Sequence, residues 1–403
     1  MTLVFWISIA LIAYVYLGYP AVLYAVARLV DLRRQHASPN PPSNPPYGVS
    51  IIIAARNEGA RLAARLDNLL SLDYPAARRQ IIVVSDGSTD DTLEVLERYH
   101  CRGLVDVVSV PPGGKALALN AGIERARFEI VAFADARQTF ASDALRELTS
   151  PFADPLVGAV TGDLQLDAES ACRRSDRDRR MFERRAGRRA DAFDRREAER
   201  RTTLRSTIAD GVGLYWKYEK QMRRHESRIW STLGATGAIY AIRRALYRPL
   251  PADTILDDVL TPMRIVLRGY RVVFNEKALA FDRAASDADA EARRKVRTLA
   301  GNYQILALEP ALLRPWRNPV WLQYVSHKVG RLAVPYALLA ALASSIVLAS
   351  SHPFYAVALA VQVLFYLLAG AGALLESAGR PQMSAAPVAA SRPRAPRAER
   401  EVA

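Results

Sequence analysis

Acidic side chains recur in this chain at the ends of three short apolar runs. After Val49–Ala55 come Arg56, Asn57 and Glu58. After Gln80–Ser85 comes Asp86, opening the run Asp86–Gly87–Ser88–Thr89–Asp90–Asp91–Thr92, and after Glu129–Ala134 comes Asp135, followed by Ala136 and Arg137. Carboxylates so placed suit cleavage of a bond to a nucleoside diphosphate. That leaving group concentrates negative charge, which a divalent cation held through one or two carboxylates and the phosphate oxygens can neutralise. A further acid must then accept the proton of an attacking hydroxyl. Gly113–Gly114–Lys115 fits the same scheme, a flexible glycine pair presenting a lysine to a phosphate or a base. It is not a P-loop, because the spacing G-x-x-x-x-G-K-[ST] is absent. Each cluster taken singly has a plainer use: Asp86–Gly87–Ser88 is turn composition, and Thr89, Asp90 or Asp135 can cap a helix. Acids at three strand ends together are not what core packing produces.

The elements that must position these residues alternate in type. Val49–Ala55, Gln80–Ser85, Leu104–Val110 and Glu129–Ala134 read as buried strands, while Glu58–Leu72 and the stretch around Leu93–Leu96 carry apolar residues at helical spacing. Strands alternating with helices predict an α/β fold with a parallel sheet covered on both faces. Ligands in such sheets bind beyond the carboxyl ends of the strands. The acids fall there.

Composition places this domain at a membrane. The 403 residues carry a formal charge of +14, yet half are hydrophobic. Basic residues are not interleaved with aromatics and no nucleic-acid module is present, so nucleic acid is not an expected partner. Cys101 and Cys172 form no C-x-x-C or Cys/His cluster, which excludes a disulfide framework or zinc site as the organising principle. Residues 1–30, Leu332–Ser350 and Pro353–Leu375 are each apolar enough to cross a hydrocarbon core of about 30 Å. Arg28, Arg33 and Arg34 follow the first span, Lys328 and Arg331 precede the second, and Arg380 begins a basic tail after the third. The positive-inside rule then predicts an N-terminus outside, with the middle of the chain and the tail (residues 376–403) in the cytoplasm of a bacterial-type inner membrane. A cleaved signal peptide ending near Ala25–Val26–Ala27 is the weaker reading, because its positive charge should precede the apolar stretch. Residues 31–48 have linker composition. Residues 172–205 are an Arg/Asp/Glu-rich insertion, read as solvated helix or flexible chain rather than core, with contact to anionic lipid as its functional alternative. Trp316, Trp321 and Tyr324 predict an interfacial helix within residues 305–331.

Read in order, Val49–Glu58, Asp86–Thr92, Gly113–Gly122 and Val131–Arg137 resemble the four opening blocks of family 2 glycosyltransferases. Gly234–Tyr240 and Ile255–Asp258 resemble that family's acceptor and catalytic-base blocks, and Gly269–Phe274 follows as expected, so the resemblance spans residues 49–304. It implies a GT-A fold, a Rossmann-like and mostly parallel sheet, and inverting transfer from a nucleotide-sugar, most plausibly UDP-linked. Ala54, Arg56, Glu58, Asp86 and Lys115 would then hold the donor, with Arg137 neutralising phosphate charge. Asp135 would contact a divalent metal, Mg or Mn. Gly234, Thr236 and Gly237 would face the acceptor, and Asp258, with Asp257 as second candidate, would be the base. The acceptor so implied is a membrane-associated polysaccharide or glycolipid. Transfer to a polyprenyl phosphate and a non-catalytic glycan-binding scaffold are the alternatives, and a second copy or an exporter is the expected companion. Two departures stand out. Where relatives carry Asp-x-Asp, the third position here is Arg137. Where chain-extending synthases carry Gln-x-x-Arg-Trp, the nearest run is Arg294–Lys295–Val296–Arg297–Thr298, which keeps only the Arg. Processive synthesis is therefore not implied.

Overall fold

The computed structural model describes residues 1–33, 47–167, 217–283 and 288–378. The charged insertion 172–205, most of the linker and nearly all of the basic tail lie outside the described residues. The chain divides into two compact units, residues 10–337 and residues 1–9 with 338–403.

The larger unit is built on a sheet of eight strands: β1 (Val49–Ala55), β2 (Arg79–Asp86), β3 (Asp106–Val110), β4 (Ile130–Ala134), β5 (Thr139–Phe140), β6 (Val157–Asp167), β7 (Ile239–Arg243) and β8 (Arg271–Arg283). Their order is β3-β2-β1-β4-β7-β6-β8-β5. The first four are mutually parallel, so their carboxyl ends share one edge. The sheet is then mixed: β7 runs antiparallel to both β4 and β6, β8 is parallel to β6, and β5 is antiparallel to β8. Alternation of strands and helices ends after β4 in the sequence, and with it the reason to expect only parallel pairing.

Burial explains why β1 reads as a continuous apolar run. Ile51 and Ile53 enter the core on one face, with Leu62, Leu66 and Leu69 of helix α1 (Gly59–Leu70), while Ile52 enters the other. A central strand covered on both faces needs apolar side chains at every position. Helices α2 (Thr92–His100) and α3 (Lys115–Arg125) complete the first half. Residues 217–229 are helical, and α4 (Asp257–Leu267) packs into the second core with Leu260, Met263 and Ile265.

Three helices are long and apolar enough to cross a membrane: Thr2–Leu32, Trp321–Leu348 and Pro353–Gly372. The second begins at Trp321 rather than Leu332, so Trp321 and Tyr324 open the apolar helical run itself. Within the smaller unit, Phe5 packs edge-on against Tyr355, with ring centroids 5.2 Å apart.

Candidate active site

The shared edge of β1, β2, β3 and β4 gathers the acids and the lysine. Asp86 ends β2, and its carboxylate is buried. It accepts the backbone N–H of Gly113 at 2.7 Å and of Gly114 at 3.0 Å, closing the turn between β3 and α3. Arg56 lies 3.7 Å from the same carboxylate. Gly114 holds φ at +91°, a conformation that favours glycine, and α3 starts at the next residue. Asp86 thereby fixes where Lys115 begins.

Lys115 is the electrostatic centre. Its ammonium lies 3.2 Å from Asp135 Oδ1 and 3.4 Å from Asp257 Oδ1, bridging an acid after β4 to an acid from the first turn of α4. Burial alone would push the ammonium toward its neutral form. The charges of Asp257, Asp135 and Asp258 outweigh that and hold it protonated, above its ordinary range. Asp257 is buried and also accepts the hydroxyl of Tyr240 at 3.3 Å. That phenol is aimed by a cross-strand pair, Phe133 opposite Tyr240, whose rings stack at 4.6 Å.

Asp258 differs from its neighbour. Burial first, and then the adjacent charge of Asp257, push its carboxyl up to about 6, against the opposing charges of Lys115, Lys328 and Arg223. A carboxylate in that range can accept a proton near neutral pH, as a general base must. The acceptor-block loop is folded onto it: Gly237 N–H donates to Asp258 Oδ2 at 3.1 Å, and Ala235 N–H donates to the Asp258 carbonyl at 2.7 Å. A Cβ on Gly237 would lie 2.9 Å from Asp258 Oδ2, so no larger residue fits without moving the carboxylate. Gly237→Ala is expected to lower turnover at least about tenfold while thermal stability changes little, because small misplacements of reacting groups are costly. Steady-state kinetics beside a melting curve check this; equal turnover would show that the contact does not position Asp258. Thr236 is buried, donates its N–H to Thr161 Oγ1 at 2.8 Å and receives Arg223 on its hydroxyl. Gly234 adopts φ +150° beside Val259.

Other sequence-predicted residues stand apart from this cluster. Ala54 is paired with Val84 inside the sheet. Glu58 precedes α1 and turns its carboxylate to Arg61 at 3.4 Å. Arg137 pairs with Asp282 at 3.1 Å, and Gln138 bonds the same carboxylate. Asp90, one residue before the N-cap of α2, accepts the N–H groups of Gly59 and Thr92 and so ties the starts of α1 and α2 together.

Sequence reading missed Asn57 and Arg65 as organisers. Asn57 adopts a left-handed φ of 55°, and its side chain accepts the N–H of Thr89 at 2.8 Å, tying the loop after β1 to the loop after β2. Arg65 is buried under Asp135: its Nε donates to the Asp135 carbonyl at 3.1 Å, and its guanidinium lies 4.1 Å from the ring centre of Phe140. Burial lowers it to about 9, with the charge of Asp135 opposing, so it stays a cation at neutral pH. Its signal was present in the sequence as an arginine on the apolar face among Leu62, Leu66 and Leu69.

Among the described residues no group of three His, Cys, Asp or Glu side chains could hold a metal ion. The donor set here is one half-exposed carboxylate, Asp135, already facing an ammonium. That chemistry suits a cation that arrives with a diphosphate, which supplies most of its oxygens, rather than a protein cage.

Comparison with known proteins bears on the family and the fold. A family model described as "Glycosyltransferase like family 2" matches residues 45–301. The chain is 34% identical over 126 residues to a poly-beta-1,6-N-acetyl-D-glucosamine synthase of Staphylococcus epidermidis, covering 31% of this chain and 30% of that relative. It is 31% identical over 168 residues to a beta-monoglucosyldiacylglycerol synthase of Synechocystis sp., covering 40% and 35%. Only about a third of either relative's length is thus matched. The fold is similar to that of a mannosyltransferase, PcManGT from Pyrobaculum calidifontis, solved with GDP-Man and Mn2+, at a TM-score of 0.64 and 24% identity over 90% of this chain and 92% of that one.

Proposed function

The chain belongs to glycosyltransferase-like family 2 and is a glycosyltransferase of GT-A fold, and from that premise we propose that it inverts the anomeric centre while moving a sugar from a UDP-linked donor to a membrane-associated polysaccharide or glycolipid acceptor. One observation carries this reading. A carboxylate raised to about 6 sits under a glycine loop, next to a lysine that bridges two further acids.

In this reading Asp258 takes the proton of the acceptor hydroxyl as its oxygen attacks the sugar carbon from the face opposite the leaving diphosphate. Lys115 moves its charge toward the diphosphate, and Asp86 keeps the Gly113–Gly114 turn closed behind it. Asp135 would hold a Mg or Mn ion together with the donor's phosphates, and that ion would neutralise charge developing on the leaving group. The three apolar helices support attachment to a bilayer, where tethering raises the local concentration of a membrane-borne acceptor.

The test is transfer of labelled sugar by the protein in membranes from a panel of UDP- and GDP-sugars. Transfer from a UDP-sugar is expected, and product chain length on a gel distinguishes single addition from a polymer. No transfer from any donor would overturn the reading. For the metal, Mn2+ titrated into purified protein is expected to bind at least about tenfold more tightly with UDP present than without, followed by Mn2+ electron paramagnetic resonance. Equal affinity in both cases would point to a preformed protein site instead.

A further inference from the structure

Helical residues 217–229 touch both the apolar helices and the catalytic sheet, and the transfer chemistry described above does not use the groups that fasten them. Toward the helix Thr2–Leu32, Met222 packs with Tyr19 and Leu23 in a small apolar cluster. Toward the sheet, Lys220 Nζ lies 2.6 Å from Asp163 Oδ2 of β6 and Arg224 pairs with Glu276 of β8. Ser227 Oγ also accepts the Phe274 N–H of β8 at 2.9 Å.

The polar contact with the apolar helices is buried. Glu226 is 1% exposed; its Oε1 accepts the Tyr19 hydroxyl at 3.2 Å and lies 2.7 Å from Nδ1 of His327, itself 3% exposed. Tyr19 and His327 belong to two different apolar helices, Thr2–Leu32 and Trp321–Leu348. Glu219 pairs with Arg331 and lies 3.6 Å from the other ring nitrogen of His327. Both apolar helices carry a π-helical turn here, Tyr14–Gly18 and Val325–Val329, and the Tyr14 hydroxyl meets Ser326 Oγ across them at 2.8 Å. Such turns recur at functional sites. A Cβ on Gly330 would lie 2.9 Å from Val15 Cγ2, so only glycine lets the two helices approach this closely. A carboxylate buried among apolar helices is costly, and apolar packing alone could have fastened the segment. One helical turn before Glu226, Arg223 donates to the Thr236 hydroxyl. The next residue of that loop, Gly237, donates its N–H to Asp258. An unbroken chain of contacts thus runs from two apolar helices, through Glu226 and Arg223, to the carboxylate of Asp258.

We propose that Glu226, clamped by Tyr19 and His327, is a latch that sets the register of residues 217–229 and so holds Arg223 on the loop that seats Asp258. Glu226 and Arg223 are then positioning residues for transfer, both acting through the Thr236–Gly237 loop. This rests on the reading of Asp258 as the base. The two stand or fall by different measurements, because the seating of the loop can be read without turnover. The full chain in phosphatidylcholine nanodiscs is compared with its variants in three observables. These are turnover on the alkaline plateau of the pH profile, affinity for UDP, and backbone amide exchange of residues 234–238 followed by mass spectrometry.

Glu226→Met, which keeps the bulk and removes the acceptor, is expected to lower plateau turnover at least about tenfold and to speed loop exchange at least about tenfold. Affinity for UDP should stay within about a factor of three. Glu226→Gln keeps an oxygen for Tyr19 and His327 and should restore most of both losses. Arg223→Met should reproduce the pattern. Because the latch acts through Arg223, the double variant Glu226→Met with Arg223→Met should be no slower than Arg223→Met alone, within about a factor of three. Additive losses would overturn the proposal, as would faster exchange with unchanged turnover. A parallel fall in UDP affinity and melting temperature would mean that Glu226 only supports the fold. Should Glu226→Met not fold, Arg223→Met against Arg223→Lys decides the matter: unchanged loop exchange in Arg223→Met would overturn the latch. The reading of Asp258 as the base fails separately, through full transfer by Asp258→Asn.

Discussion

Asp258→Asn is expected to lower the turnover of sugar transfer by about 10²- to 10⁴-fold, the range typical of a lost general base, while leaving donor affinity within about a factor of three. The asparagine keeps the size of the side chain and an oxygen to accept the Gly237 N–H, so the loop remains seated. What is lost is the proton acceptor. The same group should set the pH dependence. A base must be deprotonated to act, and Asp258 is raised to about 6 by burial and by the charge of Asp257. Transfer should therefore climb with pH through about 6 and level off above it, with the loss on the acid side. Rate profiles at saturating donor and acceptor check this, alongside UDP binding to the variant. A variant that retained more than about a tenth of wild-type turnover would remove Asp258 from the mechanism and direct attention to Asp257.

Lys115→Met should have the second largest effect, and it should appear in two observables at once. The substitution leaves Asp135, Asp257 and Asp258 without the ammonium that now lies 3.2 and 3.4 Å from the first two. Affinity for UDP should fall about 10- to 100-fold, in keeping with loss of a hydrogen bond between charged partners. Lys115 also restrains the proton affinity of Asp258. Its removal should therefore carry the acidic limb of the rate profile to higher pH, because a carboxyl facing uncompensated negative charge holds its proton longer. Calorimetric titration of UDP gives the first quantity and the pH profile of residual transfer the second. Weaker UDP binding with an unmoved acidic limb would mean that Lys115 serves the donor alone. Lys115→Arg is the control: it keeps the charge but not the compact ammonium geometry, so it should preserve the limb better than the affinity.

Much of the site was legible because strand ends are local information. The run Val49–Ala55 carries its own boundary: seven apolar or small residues stop at Arg56, and the strand has the same limits. The acids at the end of β2 and after β4, and the glycine–lysine turn after β3, then had to share an edge once those strands paired in parallel. Lys115 and Asp135 meeting follows from that arrangement. Asp257 joining them does not, because it arrives from a helix more than a hundred residues later in the chain.

Arg137 and Asp86 mark the limit most clearly. From the sequence, an arginine in place of the expected acid is a charge available to a phosphate; in the folded chain it pairs with Asp282 of β8, a partner brought close only by the mixed half of the sheet. Asp86 read as a donor contact, and it closes the Gly113–Gly114 turn. Lys328 was a marker of membrane orientation, and Arg223 carried no reading of its own, until packing put both within electrostatic reach of Asp258. The sequence by itself determined the class of enzyme, the parallel half of the sheet and the edge that gathers the acids, because apolar periodicity and residue type act over a few neighbours. Which acid meets the lysine, which carboxyl is raised, and which cations act on it were decided only by tertiary structure. Burial and the charges of distant partners set proton affinity, and neither exists until the chain has closed on itself.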